Sequence, residues 1–153
     1  MRHADTALQL RPMQDDDIDR VLLIEYRGHT HPWSERMFTD CLAASYSSFV
    51  LQHQQRVVGY AILSSVLDES HLLNICIDPH WQGQGLGRYL LNCVLTQMKT
   101  KGAKQCFLEV RRSNYAAISL YETVGFVEVG ERLDYYPSIE GREDALVYAK
   151  NLA

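Results

Sequence analysis

The feature that most constrains the fold is an apolar strand followed by a glycine-rich loop and a long amphipathic helix. Residues 72–77 form a nearly continuous apolar run, which predicts a strand buried on both faces near the middle of a sheet. Gly83, Gly85 and Gly87 follow this run. Beyond them, apolar residues recur four apart over positions 86–98, as expected for a buried helix face. This order predicts a mixed α/β domain.

The glycine-rich loop is suited to hold a phosphate group. Glycines let the backbone approach a ligand closely, and the first N–H groups of the following helix lack internal partners and point towards an anion. A diphosphate is the ligand that best matches such a loop. A tight turn that binds nothing also explains the loop when it is considered alone.

Two other nucleotide-binding motifs match this region less well. The dinucleotide-binding fingerprint gains support from Glu109, because an acidic residue is expected about 20 positions after the loop. Its third glycine, however, would fall at Arg88, and the loop lies in mid-chain after a predicted hairpin. A phosphate-binding P-loop needs Gly-Lys-Ser/Thr, which the sequence lacks here.

The N-terminal half predicts two helices and a hairpin around this unit. A short strand over residues 8–13 precedes a helix that starts at the acidic positions 15–17 and ends near Gly28. Ser34 is placed to cap a second, short helix that ends at about Ala44. Residues 48–66 change to a period of two around a polar centre, which predicts a hairpin.

The C-terminal half predicts three more strands and one helix. Residues 106–110 form a strand, and Ser113 or Asn114 caps a helix that ends at Gly125. Two further strands, at about 126–133 and 145–150, flank a predicted loop at residues 135–137. No repeat or linker interrupts the pattern, so we expect residues 1–153 to form one α+β domain.

Composition narrows the class of function. A net charge of −4 and 22% charged residues do not suit a chain built around nucleic-acid phosphates. No apolar run is long enough to span a membrane, and the first residues lack the apolar stretch of a secretory signal. We therefore expect a cytoplasmic protein with no membrane partner and no direct nucleic-acid partner.

Cysteine and histidine positions argue against a metal site. The four cysteines lie in apolar surroundings at wide spacings, which predicts reduced buried thiols rather than disulfides or a zinc site. They are Cys41, Cys76, Cys93 and Cys106. His29 and His31 are close in sequence but have no cysteine or carboxylate at ligand spacing, so a loop is the better interpretation.

Two motifs have the spacing of a known family. Gln82, Gly85 and Gly87 match the pattern Gln-x-x-Gly-x-Gly, and residues 114–126 match Asn-x-x-Ala-x-x-Leu-Tyr-x-x-x-Gly-Phe. Both resemble motifs of the GNAT acetyltransferase superfamily, the first being its acetyl-CoA loop. Other segments resemble the bacterial ribosomal-protein-alanine N-acetyltransferases within it, over nearly the whole chain. These segments are Pro32-Trp33-Ser34, Leu73-Asn74-Ile75, Leu108-Glu109-Val110-Arg111, Tyr135-Tyr136-Pro137 and Gly141-Arg142-Glu143-Asp144-Ala145.

The resemblance implies a GNAT fold, with a seven-stranded mixed sheet that splays in the middle and about four helices. Acetyl-CoA would enter between the fourth and fifth strands, with no metal. The backbone of Ile75, Cys76 and Ile77 would pair with its pantetheine arm as an added strand would, although a smaller residue is usual at position 76. The implied contacts with the rest of the cofactor are Gln82, Gly83, Gln84, Gly85, Leu86, Gly87, Arg88 and Asn114.

Two residues have both a structural and a catalytic interpretation. By strand alternation, Glu109 shares a face with Arg111, so a surface ion pair between them is the simple interpretation. The resemblance implies instead that Glu109 is the proton acceptor. Tyr121 fits a core aromatic on a buried helix stripe, and the resemblance implies that it donates a proton to the CoA thiolate. Asn114 can also cap its own helix, and a backbone N–H at a strand bulge near Ile77 would stabilise the oxyanion.

The acceptor side is defined by aromatic and acidic residues late in the chain. Tyr135 and Tyr136, with nearby acids, would line a groove for a basic N-terminus, although such charges also serve simply as a solvated surface. The acids are Asp134, Glu140, Glu143 and Asp144, and the related family commonly has asparagine at position 134. The implied substrate is the N-terminal alanine of a small-subunit ribosomal protein.

Several activities remain compatible with these residues. The first is direct attack of an α-amine on the acetyl thioester. The alternatives are acetylation of a small amine or of a protein lysine, and a non-catalytic acetyl-CoA-binding module. A route through an acylated cysteine is not expected, because neither Cys76 nor Cys106 has an adjacent histidine.

Overall fold

The structure, a computed structural model, describes residues 7–153 and consists of seven strands and four α-helices. In chain order they are β1 (Leu8–Pro12), α1 (Ile18–Gly28), α2 (Glu35–Ala43), β2 (Ser47–His53), β3 (Arg56–Val66), β4 (Glu69–Ile77), α3 (Leu86–Thr100), β5 (Gln105–Arg111), α4 (Tyr115–Val124), β6 (Val127–Ser138) and β7 (Gly141–Asn151). Short 3₁₀ turns lie at Asp15–Asp17 and Pro79–Trp81. The strands form one sheet in the order β1-β2-β3-β4-β5-β7-β6.

The sheet opens between β4 and β5. Within the described residues this is the one parallel neighbouring pair, and its register runs only from Glu69 opposite Gln105 to Leu72 opposite Leu108. Beyond these positions β4 continues to pair with β3, and β5 with β7. The predicted seven-stranded mixed sheet with a central splay is therefore confirmed.

Helices cover both faces of the sheet because β2, β3 and β4 present apolar side chains to both sides. On one face α3 buries a stripe that includes Leu90 and Val94, and α4 adds Tyr121. On the other face α1 and α2 bury Val21 and Phe38 against β2 and β3. Apolar burial of this extent is the dominant favourable contribution to folding.

Local signals place the helix ends largely as predicted. The Ser34 hydroxyl accepts a hydrogen bond from the Met37 N–H at 3.3 Å, and the Asn114 side chain accepts one from the Ala117 N–H at 3.2 Å. Gly125 ends α4 with a φ of 111°, in the left-handed region that favours glycine.

The acidic residues before α1 have a different role from the predicted helix cap. They form a separate 3₁₀ turn, and Asp17 accepts hydrogen bonds from the Gln14 N–H and from the Arg11 guanidinium. The Arg11 hydrogen bond holds the pKa of Asp17 below its usual range, although burial opposes this effect. Asp17 therefore ties β1 to the turn and makes no side-chain cap to α1.

One expectation about the strands is confirmed and one is wrong. β4 is the middle strand and is buried on both faces as predicted, with Leu72 and Ile77 in the cluster beneath α3 and Cys76 in the cluster beneath α1. Residues 135–137 are not a loop but part of β6, where Tyr136 pairs with Glu143 and Pro137 with Arg142. Proline is tolerated there because β6 is an edge strand, which does not need every N–H for the ladder.

The cysteines are free, as expected. Cys41, Cys76 and Cys106 are buried, whereas Cys93 is only half-buried on α3. Across residues 7–153, no helix combines the length and the apolar character needed to cross a bilayer.

Candidate functional site

A cavity of about 630 Å³ lies where β4 and β5 diverge. Its walls come from the end of α1 and the loop after it, from β4 and β5, from the start and middle of α4, and from β6. Five of the predicted site residues line this cavity. They are Ile75, Glu109, Asn114, Tyr121 and Tyr136.

Glu109 lies at the apex of the opening. It is the first residue of β5 after Leu108, the last position paired with β4. Nε2 of His71 lies 2.9 Å from Oε1 of Glu109. This hydrogen bond holds the pKa of Glu109 below its usual range, against the opposing effect of burial and with help from the charges of His71 and Arg132. Glu109 is therefore a carboxylate at neutral pH.

Arg111 is not the partner of Glu109. Its guanidinium donates to the Pro137 carbonyl at 2.6 Å and lies 3.3 Å from the Glu143 carboxylate. The predicted surface ion pair between Glu109 and Arg111 is thus wrong, because the β6–β7 hairpin offers Arg111 other acceptors and β4 offers Glu109 a histidine.

Tyr121 is a core aromatic, as one interpretation of the sequence predicted, and it also lies on the cavity wall. Its ring is buried in the core and meets Phe126 edge-on at 5.9 Å between centroids, yet the side chain also lines the cavity. Burial raises the pKa of Tyr121, and nearby Tyr136 adds to this effect. The phenol therefore keeps its proton at neutral pH.

The glycine-rich loop lies outside the cavity, between the end of β4 and the start of α3. Gly83 and Gly85 have φ angles of 78° and 79°, which require the left-handed region that glycine adopts without strain. The Gln82 side chain donates a hydrogen bond to the Ile77 carbonyl at 2.9 Å and so fixes the loop to β4. The first N–H groups of α3 then remain available to an anion.

The other residues predicted for the cofactor differ in position. Leu86 is buried in the core, and Gly87 lies where α3 packs beside α4, at a distance from Leu120 that would also accommodate a Cβ. Arg88 faces a shallow pocket on α3 beside Tyr89 and Asn92. Leu86 and Gly87 can therefore contact a ligand at the start of the helix only through their backbone groups.

Cys76 points away from the cavity towards α1. A Cβ added to Gly28 would lie 2.4 Å from its sulfur, so the helix end and the thiol are in close contact. Burial, with a smaller contribution from Glu25, raises the pKa of Cys76 to about 12. The thiol is therefore neutral and a poor nucleophile.

The bulge in β4 is at Leu73. The predicted position, near Ile77, is wrong. Ile77 pairs in register with Gly59, whereas the register with β3 skips Leu73. Leu73 and Asn74 consequently both face α1, where Asn74 reaches the buried Glu25. An oxyanion donor at a bulge beside Ile77 is thus ruled out by the strand geometry.

A buried network around Glu25 was missed from the sequence. Glu25 is 1% exposed; its Oε1 accepts hydrogen bonds from the Tyr60 hydroxyl and from the Asn74 amide at 2.9 Å. Its Oε2 accepts the Trp33 N–H at 2.8 Å, and His29 lies 3.2 Å from the Asn74 oxygen. The network fixes the segment after α1 over the cavity. The available signal was a carboxylate four residues after Val21, within the apolar stripe of α1.

The two tyrosines predicted for the acceptor side have different surroundings. Tyr136 lines the cavity and stacks with the Arg111 guanidinium, 4.5 Å from its ring centroid. Burial, with a contribution from Tyr135, raises the pKa of Tyr136 to about 12. Tyr135 is 43% exposed and contacts Arg132 outside the cavity.

The nearby acids mainly brace the β6–β7 hairpin. Glu143 accepts a hydrogen bond from the Ser113 N–H and contacts Arg111, while Asp144 accepts one from the Asp134 N–H. Asp134 itself has a φ of 53°, a left-handed conformation that asparagine also tolerates. Glu140 is exposed at the turn between the strands. In the described part of the chain, no three histidine, cysteine or acidic side chains are grouped to hold a metal ion.

Comparisons with known proteins agree with this architecture. The profile of the acetyltransferase (GNAT) family matches residues 16–126. The chain is 42% identical over 137 residues to the ribosomal protein bS18-alanine N-acetyltransferase of Escherichia coli, which covers 90% of this chain and 93% of that protein. It is 43% identical over 133 residues to the protein of the same name from Salmonella typhimurium, with 87% and 90% covered.

A solved structure also superposes closely. The crystal structure of the ribosomal-protein-S18-alanine N-acetyltransferase from Escherichia coli matches with a TM-score of 0.89 and 40% identity, over 95% of this chain and 94% of that chain. The family profile, the sequence identity and the close superposition lead to one assignment: the chain belongs to the GNAT acetyltransferase family.

Proposed function

We propose that this protein transfers the acetyl group of acetyl-CoA to the α-amino group of the N-terminal alanine of a small-subunit ribosomal protein. The observation that carries the proposal is a carboxylate, Glu109, and a neutral phenol, Tyr121, on the walls of one cavity at the splay. The similarity to alanine N-acetyltransferases over about nine-tenths of the chain supports the choice of acceptor. We place the reaction in the cytoplasm and assign it to residues 1–153 as one domain.

The chain has groups that suit acetyl-CoA. The N–H groups at the start of α3 suit its diphosphate, and the left-handed Gly83 and Gly85 shape that loop. Backbone groups of Ile75, Cys76 and Ile77, which have no partner on β5, suit the pantetheine amides. Gln82 orients the loop, and Asn114 serves both as helix cap and as a wall of the cavity.

Acetyl-CoA supplies an activated acyl group, and the side chains supply the proton transfers. An α-ammonium group has an ordinary pKa of about 7.7 to 8.0, so a modest fraction is already neutral at physiological pH. Glu109 accepts the proton that the amine loses as the N–C bond forms. Tyr121 donates its proton to the sulfur as the C–S bond breaks, and solvent restores it.

A peptide assay tests the proposed activity. Mass spectrometry would measure the acetylation of three peptides incubated with the protein and acetyl-CoA. One peptide begins with alanine and a basic residue, one begins with methionine, and one has a blocked N-terminus and an internal lysine. We expect acetylation of the first at its α-amine. Equal or faster modification of the blocked peptide would show a lysine acetyltransferase, and cofactor binding without any product would show a non-catalytic module.

Tyr121→Phe is expected to lower kcat by about 100-fold or more while leaving the affinity for acetyl-CoA unchanged, because it removes a proton donor and little volume. Steady-state kinetics and calorimetric titration with CoA would measure both. Tyr115→Phe is the matched control, since Tyr115 lies on the same helix and is 77% exposed. Wild-type turnover in Tyr121→Phe would remove the acid role from this residue.

A further inference from the structure

A second cavity, of about 270 Å³, lies beside the first on the same sheet. Its walls come from β3, β4, β5, β6 and β7, and they include His71, Ser64 and Arg132. Glu109 is the residue that the two cavities have in common among the described lining residues. Its carboxylate therefore lies between the first cavity, where we propose that the reaction takes place, and the second cavity.

His71 bridges Glu109 to that second space. Its Nε2 lies 2.9 Å from Oε1 of Glu109, and the two side chains are 34% and 11% exposed. The parallel register sets His71 opposite Phe107 and Leu72 opposite Leu108, so His71 and Glu109 project from the same face. The pair forms a path from a nearly buried carboxylate to a more accessible imidazole.

Glu109 alone is a poor final acceptor for the proton. The His71 hydrogen bond lowers the pKa of Glu109, so its carboxylate holds a proton weakly compared with an amine. Turnover also requires that the proton leave before the next amine enters. Histidine is the side chain that ordinarily changes charge between pH 5 and 8, which suits it to carry a proton to water.

The charged neighbours of the pair come from three strands. Glu69 on β4 and Arg132 on β6 line the second cavity together with His71. On the side of the first cavity, Tyr136 on β6 and Arg111 on β5 stand near Glu109.

Building on the proposed role of Glu109, we propose that His71 is the second member of a proton relay. As the N–C bond forms, the amine proton passes to Glu109. Neutral His71 in its Nδ1–H tautomer then takes that proton on Nε2, which leaves an imidazolium that donates a hydrogen bond to the Glu109 carboxylate. The imidazolium releases its Nδ1 proton to water in the second cavity, and water then removes the remaining Nε2 proton and returns one to Nδ1. The relay therefore returns Glu109 to a carboxylate and His71 to its starting tautomer, and it needs no reactant other than water.

Two variants of His71 test the relay. His71→Gln keeps an N–H that can donate to Glu109 but cannot carry a second proton near neutral pH. We expect its kcat to fall by about tenfold or more, with KM for acetyl-CoA unchanged and an altered pH profile of kcat. His71→Ala opens the second cavity, and added imidazole is expected to restore turnover in a concentration-dependent way. Ser64→Ala, which changes the wall of that cavity without a titratable group, is the control.

The other outcomes overturn the relay. Wild-type kcat and pH profile in His71→Gln would show that His71 only donates a hydrogen bond. A loss in both His71 variants that imidazole does not restore, with unfolding temperatures like that of the wild type, would make it a structural support. Glu109→Gln measured in parallel separates the two proposals. Full activity in that variant would reject Glu109 as the base. An inactive Glu109→Gln together with a fully active His71→Gln would reject only the relay.

Discussion

Glu109→Gln is expected to lower kcat for the alanine peptide by about 10²- to 10⁴-fold, because glutamine keeps the shape of the side chain and cannot accept a proton. The affinity for acetyl-CoA should be unchanged, since the proposed cofactor contacts lie on β4 and at the start of α3. The hydrogen bond from His71 keeps the pKa of Glu109 low, so the carboxylate is ionised throughout the neutral range. The loss should therefore appear at every pH near neutrality.

Kinetics across a pH series, with calorimetric titration of acetyl-CoA, would measure this result. Glu128→Gln is the matched control, because Glu128 is an exposed carboxylate on β6. Turnover within a factor of two of the wild type in Glu109→Gln would mean that the amine loses its proton without this residue, and the assignment of the base would be wrong.

Glu25→Ala is expected to lower the free energy of unfolding by about 3 to 5 kcal/mol, because it leaves several hydrogen-bond donors without an acceptor, each at a cost of about 1 to 3 kcal/mol when buried. The substitution removes the acceptor of the Tyr60 hydroxyl, the Asn74 amide and the Trp33 N–H, and all three donors lie near a residue that is 1% exposed. A buried donor left without an acceptor loses its hydration without compensation.

Urea unfolding would measure the change. Asp19→Ala on the exposed side of the same helix is the control and should cost less than about 0.5 kcal/mol. In the Glu25→Ala background, Tyr60→Phe should cost less than it does in the wild type, because it removes a donor that has already lost its acceptor. A loss below about 1 kcal/mol for Glu25→Ala would show that water replaces the carboxylate.

The sequence predicted well the elements that short-range chemistry determines. The loop at Gly83 and Gly85, the long helix after it, and the caps at Ser34 and Asn114 each depend on residues within one or two turns. Glu109 and Tyr121 were predicted as a catalytic pair only through resemblance, since periodicity favoured a surface ion pair for Glu109 and a core aromatic for Tyr121. The structure brings both to the same cavity.

The features that were missed depend on contacts between distant parts of the chain. The bulge at Leu73 accompanies the hydrogen bond between Glu25 and Asn74, residues 49 positions apart. Tyr136 joins a strand because β6 forms the edge of the sheet, and strand order is not a local property. His71 looked ordinary in its strand, and only the parallel register with β5 reveals its contact with Glu109.

The short ladder between β4 and β5 has a consequence for the stability of the whole protein. It joins a half-sheet of four strands to one of three through only four residue pairs, Glu69 to Leu72 with Gln105 to Leu108. In the proposed binding mode, acetyl-CoA lies against β4 just beyond this ladder and adds contacts between the two half-sheets. A ligand that binds only the folded state raises the free energy of unfolding in proportion to the logarithm of its concentration. The resistance of the protein to unfolding and proteolysis would therefore follow the supply of acetyl-CoA in the cell.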